Sequence, residues 1–368
     1  MTPTTRLHQL GQSLWLDNIT RTMLGDGTLR RYIRQLSVTG LTSNPTIYDQ
    51  AIGGGDAYDE AIHRESANGQ AGEELFLDLA LEDLTRAADL FLPVHGATGG
   101  RDGWVSLEVS PLLAYDTSRS LAQARALHRR ADRPNLFIKI PGTREGLPAI
   151  EQAIFEGIPV NVTLLFSREQ YLAAAGAYLR GIERRIAAGR DPVVGSVASV
   201  FISRWDKAVS GEVPESLRGR LGIAIAGRTY RAYRELLESP RVRELIAAGG
   251  RPQRLLWAST GTKDPAASDV LYIEALAAPD TINTMPEATL LAFADHGQIR
   301  GVMSRDAAAA EAALEGFARA GVDVMALASR LQQEGAESFV KSWNALLGRI
   351  AAKRDALAAA VSGPRSDR

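Results

Sequence analysis

Eight short apolar runs recur along the chain, each carrying a polar residue at or near its end and each followed by a helical pattern or a turn. They are Ser13–Asp17, Val38–Asn44, Trp104–Glu108, Leu136–Ile140, Val160–Phe166, Val197–Ile202, Leu255–Ser259 and Thr281–Thr284. Each is four to seven residues long, rich in Val, Ile, Leu or aromatics and bounded by Gly, Pro or Asn, as buried strands are. Helical stretches lie between them. Glu73–Phe91 spaces Leu77, Leu81, Leu84 and Ala88 along one face, and Thr117–Arg130 opens behind Asp116 as its N-cap. Thr229–Ala248 breaks near Pro240, and the loop His95–Gly103 and the Gly-rich turn Ile52–Asp56 interrupt the pattern. Alternation of this kind implies a parallel sheet with right-handed crossovers. Eight such units close most naturally into a (β/α)8 TIM barrel, an α/β fold, with an open doubly wound sheet as the alternative. Ser304–Ala360 reads as helical throughout, a C-terminal extension that turns Leu327, Leu331, Phe339, Trp343, Leu346 and Leu347 inward. With no composition shift along 368 residues, the expectation is one barrel domain over 1–360 and a disordered polar tail over 361–368.

Charge and composition remove several classes of function. Forty-two basic side chains stand against 43 acidic ones, a net charge of −1, which excludes a general nucleic-acid binder with its basic face. Cysteine is absent, and with it disulfide frameworks, zinc-thiolate sites and thiol catalysis. No window approaches the roughly twenty apolar residues of a membrane span, and the start lacks the apolar core of a secretory signal. A cytoplasmic enzyme with no membrane partner is the expectation. The five histidines are scattered without metal-binding spacing, so no metal is expected. No GxGxxG follows a strand and no GxxxxGK[ST] occurs. Ser338–Lys341 matches SxxK by letter only, inside a helical stretch, and the arginines at 180, 184, 185 and 190 read as a solvated face.

In a barrel the active site lies at the C-terminal ends of the strands. Asp17, Asn44, Glu108, Lys139, Asn161, Thr163, Ser199 and Ser259 gather at that rim. Only five lysines occur, and Lys139 alone has apolar neighbours on both sides; Lys207, Lys263, Lys341 and Lys353 read as solvated. Burial disfavours an ammonium, and a neutral amine attacks a ketone or aldehyde to form a Schiff base. The competing reading is a lysine that snorkels to the rim or pairs with a carboxylate. Asp17 and Glu108 suit the two proton transfers such chemistry needs, although capping and salt bridges are the commoner uses of single carboxylates. Arg204, just after the sixth run, suits a phosphate monoester.

With these residues placed, the chain resembles the transaldolase family over Leu14–Leu347. The segments that carry the resemblance are LWLDNI (14–19), GLTSNPTIY (40–48), VSLEVSP (105–111), NLFIKIPGTREGLPAI (135–150), NVTLLFS (161–167), SVASVFISRWD (196–206), LLWASTGTKDP (255–265) and NTMPEATLLAFADHG (283–297). The last two, with the overall length, look like the longer bacterial subgroup. The resemblance implies a cofactor-free and metal-free transferase of the pentose phosphate pathway acting on sugar phosphates. Lys139 matches the Schiff-base lysine, and Asp17 matches the acid/base on the C4 hydroxyl. Glu108 and Thr163 match the pair that holds a water. Thr42, Asn44, Asn161 and Ser199 match positions around the dihydroxyacetone unit, and Arg204 matches a phosphate-binding arginine. Many members carry a second phosphate-binding arginine where this chain reads Ser259-Thr260-Gly261-Thr262-Lys263; Gly261 backbone groups or Lys263 are the possible substitutes. A fructose-6-phosphate aldolase of the same superfamily is the near alternative, but that branch carries Tyr where this chain has Phe201. A non-catalytic sugar-phosphate-binding barrel is the other. A monomer or homodimer is expected.

Overall fold

The computed structural model describes residues 2–362. Eight parallel strands form a closed barrel in sequence order: β1 (Ser13–Asp17), β2 (Val38–Thr42), β3 (Trp104–Glu108), β4 (Leu136–Pro141), β5 (Val160–Leu165), β6 (Ser196–Phe201), β7 (Arg254–Ala258) and β8 (Ile282–Met285). Strand β1 pairs with β8 to complete the ring. The fold is therefore the (β/α)8 barrel expected from the eight runs, not the open sheet. Strand ends shift by a residue or two for local reasons. The β2 ladder stops at Thr42 because Asn44 leaves it to cap the next helix, accepting from Ile47 N at 3.1 Å, with Pro45 in the first turn. The β7 ladder stops before Ser259, whose φ is +54°.

The helices follow the expected order with three corrections. The helix expected over Glu73–Phe91 spans Gly72–Ala97 and carries Pro93 within it, so the loop expected from His95 begins at Thr98. The stretch Thr229–Ala248 breaks before Pro240 as expected, but its first helix starts earlier, at Leu221, and runs to Leu237; the second, Pro240–Ala247, is capped by Ser239 through Val242 N. The extension is not helical throughout: Ala308–Arg319 and Val324–Ser362 are separated at Gly321, whose φ of +87° no helix accommodates. Asp323 then starts the last helix by accepting from Met325 N and Ala326 N. The tail expected to be disordered lies outside the described residues from 363 onward, and Val361–Ser362 end the last helix.

Inside the barrel, the two ends differ in chemistry. Trp15, Trp104 and Phe137 fill the N-terminal end, Trp104 stacking on Phe137 with centroids 4.0 Å apart. Trp15 lies so close to Gly40 that a Cβ there would sit 2.5 Å from the indole, which is why β2 carries a glycine. Toward the C-terminal end the inward residues become polar. The last helix crosses that end: Gln332 donates to the carbonyls of Gly142 (3.2 Å) and Leu164 (2.9 Å), Thr46 bonds Ser342 (2.8 Å), and Arg349 pairs with Asp49 (2.7 Å). Leu327, Leu331, Phe339, Trp343 and Leu346 are buried beneath it as expected, while Leu347 is half-buried. Among the described residues, no helix is long and apolar enough to cross a membrane.

Candidate active site

Sheet register sets the site. Glu108, Lys139 and Asn161 are direct partners across β3, β4 and β5, so their side chains form one row on the barrel's inner wall. Asp17 and Thr42 are partners across β1 and β2. Alternation along β4 sends Ile138 and Ile140 outward into the helix layer and leaves Lys139 facing in, which is how apolar flanks and a buried amine coexist. Lys139 is 5% exposed, so it does not snorkel into solvent. Its Nζ donates to Ser43 O (3.2 Å) and to Glu108 Oε2 (3.3 Å), and lies 5.7 Å from the centre of the Phe339 ring.

Nine of the eleven residues singled out in the sequence line one cavity of about 110 Å3: Asp17, Thr42, Asn44, Lys139, Thr163, Ser199, Phe201, Arg204 and Ser259. Glu108 and Asn161 do not line it. They stand behind it in the wall, Glu108 against Lys139, and Asn161 donating to Ser106 Oγ (3.1 Å) while accepting from Ser199 Oγ (2.7 Å). Asn44 spends its amide oxygen on the helix cap and faces the cavity besides. Ser259 bonds Ser203 across the β6 and β7 ends (3.0 Å). Ser259 and Leu164, at the ends of β7 and β5, both hold positive φ, as strained residues at functional sites do.

Lys263 is exposed, as its solvated reading implies, yet it also lines the cavity from the loop after β7, and its charge is felt at Asp17. Thr284 and Phe339 also line it. In the sequence, Thr284 lies inside a recognised strand without a face assigned, and Phe339 is legible only as an inward residue of the extension. A signal for Lys263 exists, since barrel sites are built from the loops after the strands.

The carboxyl groups are shifted alike. Desolvation pushes Asp17 above the usual carboxylate range, against the pull of Lys139, the Thr42 hydrogen bond and Lys263. Glu108 is likewise pushed up by burial, with Lys139 drawing it back. Burial lowers the Arg204 guanidinium from its ordinary value. Among the described residues Arg204 has no hydrogen-bond or ion-pair partner; its guanidinium lies 5.3 Å from the Phe201 ring centre and 5.8 Å from that of Phe339. Two buried oxygens also lack partners, Glu108 Oε1 and Thr163 Oγ1. They come from β3 and β5, the strands on either side of Lys139.

A buried amine flanked by two acids, facing an unpaired guanidinium, is an arrangement for carbonyl chemistry on an anionic substrate. Residues 14–350 match the family profile described as transaldolase/fructose-6-phosphate aldolase. The chain belongs to this family. It is similar to a transaldolase of Thermobifida fusca, at 48% identity over 95% of this chain and 97% of the relative. It is also similar to a transaldolase of Thiobacillus denitrificans, at 45% identity over 95% of this chain and 100% of that protein. A protein named transaldolase 1 in Streptomyces coelicolor is 44% identical over 95% and 94% of the two chains. Within the transaldolase/fructose-6-phosphate aldolase family, these relatives place the chain among the transferases.

Proposed function

We propose that Lys139 carries a dihydroxyacetone unit from a ketose phosphate, fructose 6-phosphate or sedoheptulose 7-phosphate, to an aldose phosphate, glyceraldehyde 3-phosphate or erythrose 4-phosphate. The observation that carries this assignment is the buried Lys139 amine held between Glu108 and the Asp17 cavity, with Arg204 unpaired at the same mouth. The amine attacks C2 of the ketose to give a carbinolamine. Burial inclines Glu108 to keep a proton, which the carbinolamine hydroxyl needs in order to leave as water. The partnerless Glu108 Oε1 and Thr163 Oγ1 offer that water two hydrogen-bonding positions beside Lys139.

Asp17 then takes the proton of the C4 hydroxyl, the C3–C4 bond breaks, and the aldose phosphate departs. The electron pair of that bond remains as the enamine on Lys139. An acceptor aldehyde is attacked by this enamine and takes the proton back from Asp17; hydrolysis of the new Schiff base completes the transfer. Thr42, Asn44, Asn161 and Ser199 surround the dihydroxyacetone unit, Asn161 acting through Ser199. Arg204 holds the phosphate, with Lys263 in the role of the second cation, and Ser259 lines the cavity beside them.

Borohydride reduction in the presence of fructose 6-phosphate, followed by peptide mass mapping, tests the assignment. The expected product is a reduced dihydroxyacetone adduct on Lys139, absent from Lys139→Ala. Erythrose 4-phosphate should discharge the unreduced adduct into sedoheptulose 7-phosphate. An adduct that turned over only to free dihydroxyacetone would make the enzyme a lyase, and no adduct with any ketose phosphate would refute the Schiff base.

A further inference from the structure

A cavity of about 570 Å3 lies at the barrel end opposite Lys139. Its walls come from the residues that open strands and from the loops before them: Trp104 of β3, Ser196 of β6, Arg254 of β7, and the segments at 98–101 and 251–252. A strand's length, roughly 15 Å, separates it from the candidate active site. Nothing in the Schiff-base reading uses it.

Its electrostatics are unbalanced. Asp280 is shared by Arg101 (2.7 Å) and Arg234 (2.9 Å), and Asp102 faces Arg254 at 3.7 Å. Asp102 is already committed, accepting from Trp15 Nε1 (2.7 Å), Thr39 (2.9 Å) and Ser13. Arg251 has no side-chain partner among the described residues. Four guanidinium groups therefore meet two carboxylates, a surplus of two positive charges. His95 nearby does not add to it or offset it, because burial and the Arg251 charge lower its pKa and keep the ring neutral.

Two features make this a place for a ligand's anionic group rather than a loose surface cluster. The Arg254 Nε is buried and without a partner, although the terminal nitrogens reach Arg101 O, Ser13 and Thr281 O. Gly100, at φ +76°, leaves room for Arg251: a Cβ there would stand 3.2 Å from Nη1 of the guanidinium. Much of the remaining wall is apolar, including Trp104, Leu237, Pro252 and Ile246, the last 47% exposed. We infer that this N-terminal cavity binds a small molecule that carries a phosphate group on an apolar body. The phosphate meets the unpaired Arg251, within the field of Arg101 and Arg254, and the body lies against Ile246. Two negative charges match the surplus of two, and guanidinium groups are the usual partners of phosphate.

Inorganic phosphate is the probe. The candidate active site would also take phosphate, so the titration is made on the full-length Arg204→Ala variant, by calorimetry and by the rise in melting temperature. The expected result is saturable binding that survives Arg204→Ala and weakens about ten- to hundredfold when Arg251→Ala is added. Because Arg251 is unpaired, its removal should leave the phosphate-free melting temperature unchanged, which shows that the fold is intact. Loss of all phosphate binding in Arg204→Ala would overturn the inference while supporting the role of Arg204. Binding indifferent to Arg251→Ala would overturn it as well. Equal binding by the wild type and Arg204→Ala, abolished by Arg251→Ala, would establish this cavity and count against Arg204 as the substrate's phosphate ligand.

Discussion

Thr42 Oγ1 donates to Asp17 Oδ1 across 2.7 Å and stands 2.7 Å from Thr284 Oγ1. An ionised Asp17 only accepts, so the single Thr42 proton points at it and Thr284 must donate to Thr42. The two hydroxyls form a chain that stabilises the carboxylate against the burial that raises it. Thr284→Val breaks the chain at its far end without touching Asp17. The acidic limb of the kcat/KM profile should move to higher pH, with activity at neutral pH lower by about fivefold. Thr284→Ser should restore both. A valine variant with an unshifted limb would show that Thr284 only packs.

Asp17 itself couples activity to stability with opposite signs. Its folded-state pKa is raised by desolvation, so between the ordinary carboxylate value and the raised one the folded protein binds more protons than the unfolded chain. Stability therefore falls as pH rises through that window, and is fully present below it. Asp17→Asn removes the ionisation and can keep the amide oxygen on Thr42. Its melting temperature should exceed that of the wild type at neutral pH, with the gap closing on acidification. Turnover should fall by about two to four orders of magnitude. A variant less stable than the wild type at neutral pH would contradict the burial argument.

Lys139 and Asp17 are legible in the sequence because a polar residue near the end of an apolar run must face the barrel's inside or its rim. The same logic finds Glu108 and Asn161 but misjudges their depth: register places them in one row with Lys139, and register is a property of paired strands that no single run contains. Phe339 reaches Lys139 from the other end of the chain, so only packing of the last helix over the barrel reveals it. Lys263 sits among polar loop residues, where local composition looks like solvent and only the curvature of the loop brings it to the cavity. The break at Gly321 is hidden by an alanine-rich surrounding of high helix propensity.

Arg204 is desolvated and unpaired, a cost that a bound phosphate would relieve. Arg204→Ala should raise KM for the sugar phosphate about ten- to hundredfold, with a smaller change in kcat. Arg204→Lys should recover little, because a point charge does not replace the planar fork set between Phe201 and Phe339. Lys263→Ala alone should have the milder effect, since Lys263 is exposed, and the double variant should be worse than either. Unchanged KM in Arg204→Ala would remove this residue from the substrate's phosphate site.

Phe339 is 5% exposed, and its ring closes the cavity over Lys139, backed by Phe201 at 6.5 Å between centroids. The fate of an enamine depends on what reaches it: an aldehyde gives transfer, whereas a proton followed by water gives free dihydroxyacetone. Phe339→Ala opens this lid while leaving Lys139, Glu108 and Asp17 in place. Truncating a large buried ring costs about 3–5 kcal/mol in a closed core, and the cost should be smaller here because one side of the ring already faces a cavity. The variant should therefore fold, at a lower melting temperature. With fructose 6-phosphate and no acceptor, it should release dihydroxyacetone faster than the wild type, while Phe339→Leu should lie between the two. Chromatographic measurement of dihydroxyacetone checks this directly. Equal release by all three proteins would mean that the last helix secures the barrel without controlling water at the enamine.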